Sequence, residues 1–300
     1  MDEKKNAKLE EYLSQVTDIP TLPHIVIKLF NKIHDPEPDI EELADLIMSD
    51  QVLTTRMIRM VNSAFWGLSR EVNSVKEAIV FLGLREITNL IYSVSLANTF
   101  ERDTPLLKRV RFWEHSLGCA LISKEIAKRS HFQDRELAYL AGLIHDIGEV
   151  IIAVQFGKDF EKVVEIVLDD HATFYDAEDI VLGINHTDFG AWLVKDWRLP
   201  SILSDVVSFH HKPFEAPEHK VLVAIVRLAD LICLYHQLDF GYSEGEDIMP
   251  EIVDLWHFLG TKSKYLSDIE LTQFLAELNE NIEDVKSSVD SMYGQNEAVS

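Results

Sequence analysis

The chain has 300 residues, 47% of them hydrophobic, which suits one large domain or two modest ones with a substantial core and argues against disorder. Asp and Glu number 51 against 28 Lys and Arg, a formal charge of −23. A field of that sign repels phosphate backbones and anionic membranes, so nucleic acid is a poor main partner, while a bound metal that inverts the local sign leaves room for a phosphorylated or nucleotide ligand.

The N-terminal stretch MDEKKNAKLEEYL is charged and lacks an apolar centre, so it is not a signal peptide. No apolar run is read as reaching transmembrane length, and the expected location is the cytoplasm. Cys119 and Cys233 both sit in apolar helical stretches and read as buried thiols of a reducing compartment. Apolar residues recur at helical spacing and nowhere alternate over a sustained run, so the expected fold class is all-α.

Several helix boundaries are marked. Asp39 with Glu42, and Ser74 with Glu77, have the spacing of capping boxes. Asn62 and Ser63 read as a helix end and the start of a turn. Gly83 and Gly148 fall where a helix can end or bend. Thr104-Pro105 reads as an N-cap followed by proline in the first turn. Short helices are expected over 18–100, and a longer helical block over 104–236. The acidic stretch DFGYSEGEDIMPE after Leu238 reads as a loop. A final amphipathic helix, SDIELTQFLAELNENIEDVKSSV, completes an extension over 240–300, packing on the core or on a second chain. The tail GQNEAVS reads as frayed.

The histidines carry the chemistry. His145 and Asp146 lie in AGLIHDIGEV, read as one apolar helix. Neighbours on a helix point about 100° apart, yet a short carboxylate and a long imidazole can converge on one ion, and borderline divalent metals accept that mixture. His115 is read as mid-helix in RFWEHSLGCALISKEIA, and His186 as mid-helix in LGINHTDFGAWLV. His210 and His211 end SILSDVVSFHH. Asp230, in VAIVRLADLICLY, carries a desolvation cost that a metal, an arginine or a backbone donor would meet. Singly, each is more readily a hydrogen-bonded core residue than a ligand. Together, seven groups in the order H, HD, H, HH, D point to metal. His24, His34, His131, His171, His219, His236 and His257 fall outside that order and are read as surface or locally bonded.

That order resembles the HD superfamily of metal-dependent phosphohydrolases, and the five-histidine, two-aspartate set is similar to that of HD-GYP phosphodiesterases. The wider chain resembles the bacterial HDOD family, the HD-related output domain, over residues 18–236. The stretches that carry this are IPTLPHIVIKLF, IEELADLIMSDQVLTTRMIRMVNSAFWG, VKEAIVFLGLREITNLI, FWEHS, YLAGLIHDIGEVII, GINHTDFGAWLVKDWRLP and SFHHKP. The resemblance implies an N-terminal helical subdomain (18–100) packed on an HD-type metal-binding bundle (104–236). It also implies a bacterial signalling module that acts through protein contacts, with the partner and the oligomeric state left open. Two divalent transition ions are implied, iron or manganese, with zinc or nickel as substitutes. His115, His145, Asp146 and Asp230 would hold one, His186, His210 and His211 the other, and Asp146 would bridge.

The chain departs from HD-GYP enzymes in two places. Glu149 stands where those carry a lysine, and KPFEAPEH follows the HH pair in place of a GYP segment. A lysine would stabilise charge on a transferring phosphoryl group; a Glu149 carboxylate would repel it. Cyclic-dinucleotide hydrolysis is therefore expected to be absent or very slow, unless Lys195 or Lys212 reaches the site. The rival readings are a metal-dependent phosphohydrolase, in which two metals activate water for attack on phosphorus, and a metal-free scaffold.

Overall fold

The computed structural model describes residues 3–16, 22–33, 39–63, 66, 68, 70–99, 104, 106–242 and 247–293, and the regular structure among them is helical. The chain divides into two compact units: Met1–Ile19 with Arg102–Asn279, and Pro20–Glu101 with Glu280–Ser300.

Helix α1 (Glu3–Leu13) belongs to the larger unit, a placement that sequence reading did not anticipate. Its Tyr12 ring meets Phe156 edge-on at 4.9 Å, and Lys5 pairs with Asp179 at 2.8 Å.

The smaller unit begins with α2 (His24–Ile33), α3 (Ile40–Met48), α4 (Gln51–Val61), α5 (Val75–Leu82) and α6 (Leu84–Thr99). Asp39 caps α3, accepting from the backbone N–H groups of Glu41 and Glu42. Glu42 pairs with Lys32, so it does not complete the box. Ser74 caps α5 through the Glu77 N–H, and Glu77 accepts from the Asn73 N–H, one residue ahead of a capping box. Asn62 ends α4, and its amide exchanges hydrogen bonds with the Val72 backbone at 2.7 and 2.8 Å, closing the intervening loop. Gly83, at φ 84°, separates α5 from α6 in a conformation that other residues reach only with strain.

The larger unit continues with α7 (Arg109–Arg129), α8 (Arg135–Ile144), α9 (Ile147–Gln155), α10 (Gly157–Asp170), α11 (Phe174–Leu182), α12 (His186–Asp196), α13 (Ser201–Phe209), a 3-10 turn (Pro213–Glu215), α14 (Lys220–Tyr235), α15 (Met249–Lys262) and α16 (Lys264–Ser267). The last helix, α17 (Leu271–Tyr293), has residues in both units. Helix α7 packs against α8 and α14, while α12 packs against α9 and α13. Those six helices carry the seven residues of the H, HD, H, HH, D order, or begin or end beside them.

Three readings differ from expectation. Thr104 accepts from the Leu107 N–H in a turn, and α7 starts only at Arg109; Pro105 lies outside the described residues. The loop after Leu238 is shorter than read, because Pro250 and Glu251 already belong to α15. The tail GQNEAVS also lies outside the described residues. Arg135–Gln155 is long and apolar enough to cross a membrane by composition, contrary to expectation, but 94% of its apolar window is buried within the protein. It is also broken into α8 and α9 at His145–Asp146.

Candidate metal centre

That break brings the site together. His145 closes α8 and Asp146 precedes α9 with non-helical dihedrals, φ −101° and ψ 16°. The pair is thus a corner between two helices and not part of one continuous helix, and the corner lets adjacent side chains converge where a regular helix would splay them.

Two close helix crossings bring the partners in. A Cβ on Gly142 of α8 would stand 2.6 Å from the Cys119 carbonyl oxygen of α7, and a Cβ on Gly148 of α9 would stand 2.0 Å from the His186 carbonyl oxygen of α12. Gly148 therefore does not end a helix; it lets α9 and α12 meet at backbone distance. His186 is the first residue of α12, capped by Asn185, and not mid-helix as the sequence suggested. His115 is mid-helix on α7, His210 and His211 follow α13, and Asp230 lies within α14, as read.

The side chains form two groups joined by Asp146. On one side, His115 Nε2 lies 3.3 Å from His145 Nε2 and 3.5 Å from Asp230 Oδ1, and Asp146 Oδ2 lies 3.0 Å from His145 Nε2. On the other, His186 Nε2 lies 3.4 Å from His210 Nε2 and 3.0 Å from His211 Nε2, and Asp146 Oδ1 lies 3.1 Å from His210 Nε2. All seven residues lie in one centre, and all but half-buried His211 are buried.

The outward ring atoms orient these histidines. Nδ1 of His115, His145 and His210 meets the carbonyl oxygens of Leu238, Gly142 and Val207 at 2.7, 2.8 and 3.1 Å. Nδ1 of His186 meets Glu178 Oε2 at 2.8 Å. A carbonyl or carboxylate only accepts, so each Nδ1 carries its proton and each neutral ring turns a bare Nε2 lone pair inward. Lone pairs facing each other at 3.3–3.4 Å repel unless a cation lies between them. Asp146 Oδ1 is buried and has no hydrogen-bond donor. Converging lone pairs and an orphaned carboxylate oxygen together fit a divalent ion.

Without metal, a proton takes part of that role. Burial works against charge on His115, but its hydrogen bond to Asp146 and the nearby Asp230 raise it to about 10. Burial, with neighbouring His145 and His186, lowers His210 to about 4, although Asp146 pulls the other way. Burial also opposes charge on Asp146, yet His145, His115 and His210 hold its carboxyl well below the usual range.

Three further residues belong to the centre. Glu178, on α11, accepts from both the backbone N–H and Nδ1 of His186. Arg227, one turn before Asp230, donates to Asp230 Oδ2 at 2.7 Å and makes a two-point contact with Glu251 at 2.9 and 3.0 Å. It also lies 3.2 Å from His211 Nδ1. Arginine thus meets the desolvation cost of Asp230, one of the alternatives left open by the sequence. Cys119 Sγ lies 3.5 Å from His115 Nε2. Its signal was present as an i, i+4 spacing from His115, but a cysteine on an apolar helix reads first as core. Glu178 and Arg227 had no comparable signal.

Glu149 requires a correction. Its Oε1 sits 3.2 Å from His186 Nδ1, on the far side of that ring from the inward Nε2. Burial, then the adjacent Glu178, push its carboxyl well above the usual range. The repulsion expected of a Glu149 carboxylate is thereby weakened, while the lysine remains missing. Lys212 lies over the Tyr175 ring at 5.1 Å and Lys195 is exposed on α12; neither is among the residues lining the cleft. That cleft, open to solvent, is lined by His115, Asp146, Glu149, His186, Arg227 and Asp230, with the Phe174 and Phe240 side chains alongside.

Residues 19–213 match the HDOD domain family. An HDOD domain protein of unknown function from Geobacter sulfurreducens has a crystal structure similar to this chain, with a TM-score of 0.86 and 32% identity over 97% of this chain and 99% of that one. A Treponema pallidum protein without an assigned function is 28% identical over 221 residues, 72% of this chain and 42% of its own length, so this chain spans less than half of that relative. The cyclic di-GMP phosphodiesterase CdgJ of Vibrio cholerae is 27% identical over 120 residues, 40% of this chain and 27% of its own.

Proposed function

Because the chain belongs to the HDOD family, we propose that it is a bacterial regulatory module in which a divalent-metal centre organises the helical core and output runs through contacts with signalling proteins. The orphaned Asp146 Oδ1, aimed at His186 and His210 while Oδ2 faces His145, is the observation that carries the metal. His115, His145 and Asp230 would hold one ion and His186 and His210 a second, with Asp146 between the two sets. His211 completes the second set only by giving up the Arg227 hydrogen bond on its Nδ1: an arginine only donates, and the neutral ring then carries its proton on Nε2. Iron and manganese suit the imidazole and carboxylate set, with zinc or nickel able to substitute. The net charge of −23 disfavours nucleic acid, and two buried free thiols suit a cytoplasmic location.

A phosphohydrolase is the second reading, favoured by the cleft that opens directly on the centre. Bound metal would supply Lewis acidity there. The chain's own residues then have to neutralise the charge of a phosphoryl group. Among the described residues lining the cleft, Arg227 is the one arginine or lysine, and its guanidinium is already committed to Asp230 and Glu251. That places regulation ahead of hydrolysis. The test is metal analysis of anaerobically purified protein, paired with cyclic di-GMP and phosphomonoester turnover by protein reloaded with iron or manganese. One to two metal equivalents and no turnover are expected. No metal and no uptake on titration would remove the metal centre. Robust turnover abolished by His210→Ala would put the hydrolase first.

A further inference from the structure

We propose that Cys119 is a thiolate ligand of the first metal position, making it a mixed sulfur, imidazole and carboxylate site. The proposal rests on the metal-binding reading above and deepens it. Cys119 lies one turn after His115 on α7, so both side chains leave the same face of the helix. Cys119 Sγ, His115, His145 and Asp230 each offer one ligand atom, and those four atoms lie within 4.8 Å of one another. All four residues are buried.

The spacing suits coordination. Adjacent ligand atoms that share one ion through bonds of about 2.0–2.3 Å lie about 2.8–3.8 Å apart. From His115 Nε2 the separations are 3.5 Å to Cys119 Sγ, 3.3 Å to His145 Nε2 and 3.5 Å to Asp230 Oδ1, and the remaining three pairs lie within 4.8 Å. Binding exchanges the thiol proton for the ion: the Sγ–H bond breaks, the proton passes to solvent, and the sulfur lone pair forms the bond to metal. No oxidant or reductant is involved.

The second position has no sulfur; its candidates are Asp146, His186, His210 and His211. The two positions therefore differ in chemistry. The first favours softer ions such as zinc, cobalt or iron(II) over manganese, and the second accepts harder ones. Cys233, three residues after Asp230 on α14, is also a buried free thiol and is the competing sulfur donor.

Cobalt(II) added anaerobically to the full metal-free chain tests the assignment, read by near-ultraviolet sulfur-to-cobalt charge-transfer absorption together with cobalt content. Wild type should show the band. Cys119→Ser and Cys119→Ala should lose it while keeping helical circular dichroism and at least one bound cobalt. Cys233→Ser should keep it. Wild type that binds cobalt without the band overturns the thiolate and leaves the metal centre standing. Wild type that binds no cobalt overturns both. A band that survives Cys119→Ser and disappears in Cys233→Ser moves the ligand to the other cysteine and refutes the assignment. Because the wild-type spectrum alone can refute the proposal, misfolding of a variant does not protect it.

Discussion

Gly148→Ala separates the packing that assembles the centre from the ligands themselves. The added Cβ would lie 2.0 Å from the His186 carbonyl oxygen and 2.8 Å from the Gly190 nitrogen. Both are backbone atoms, so no side-chain rotation relieves the clash. Ordinary contact begins at 3.4 Å, which leaves the pair 1.4 Å too close. Helices α9 and α12 must part by about that distance, and overpacking of this kind costs about 1–3 kcal/mol, with the upper end expected where backbone must move. The same displacement carries His186 away from Asp146 Oδ1, now 3.5 Å from its Nε2. Metal affinity at the second position should fall by about 10- to 100-fold, although no ligand has changed. Gly157→Ala is the control, because a Cβ there meets nothing within 4 Å. Urea unfolding of the metal-free variants, followed by calorimetric metal titration, measures both effects. Wild-type stability and affinity in Gly148→Ala would refute the argument that this crossing positions the centre.

Asp146→Ala should empty both positions and His145→Ala the first, whereas His131→Ala should leave metal content unchanged, since His131 is exposed and stacks on Tyr265; metal analysis of the three decides. Glu178→Ala should weaken metal binding about 10- to 100-fold, whereas Glu178→Gln keeps an acceptor for His186 Nδ1 and should bind more nearly as wild type in the same titration. Metal-free protein should be most stable near pH 6.5. His210, lowered from 6.5 to about 4, removes stability as pH falls through that window, because the unfolded ring takes up its proton first. His115, raised from 6.5 to about 10, contributes stability that is complete below 6.5 and is lost as pH rises towards 10. Thermal unfolding across pH 4–10 with chelator present tests this, and a midpoint rising monotonically through pH 6.5 would contradict it.

The sequence by itself determined the helical class, because apolar spacing records which face of each segment is buried. It determined the caps at Asp39 and Ser74, where a side chain bonds to backbone only two or three residues away. It also identified the seven polar groups that belong together, since five histidines and two aspartates in apolar surroundings need a common explanation. Only the tertiary structure decided how they meet. The corner at His145–Asp146 lies in an unbroken apolar run, so local pattern reads it as one helix. The roles of Gly142 and Gly148 depend on backbone atoms of other helices, which no local spacing encodes. Glu149 illustrates the limit most plainly. Its position in the chain suggested a carboxylate facing a phosphate, but its charge is set by burial beside Glu178 and His186, and burial belongs to the folded protein.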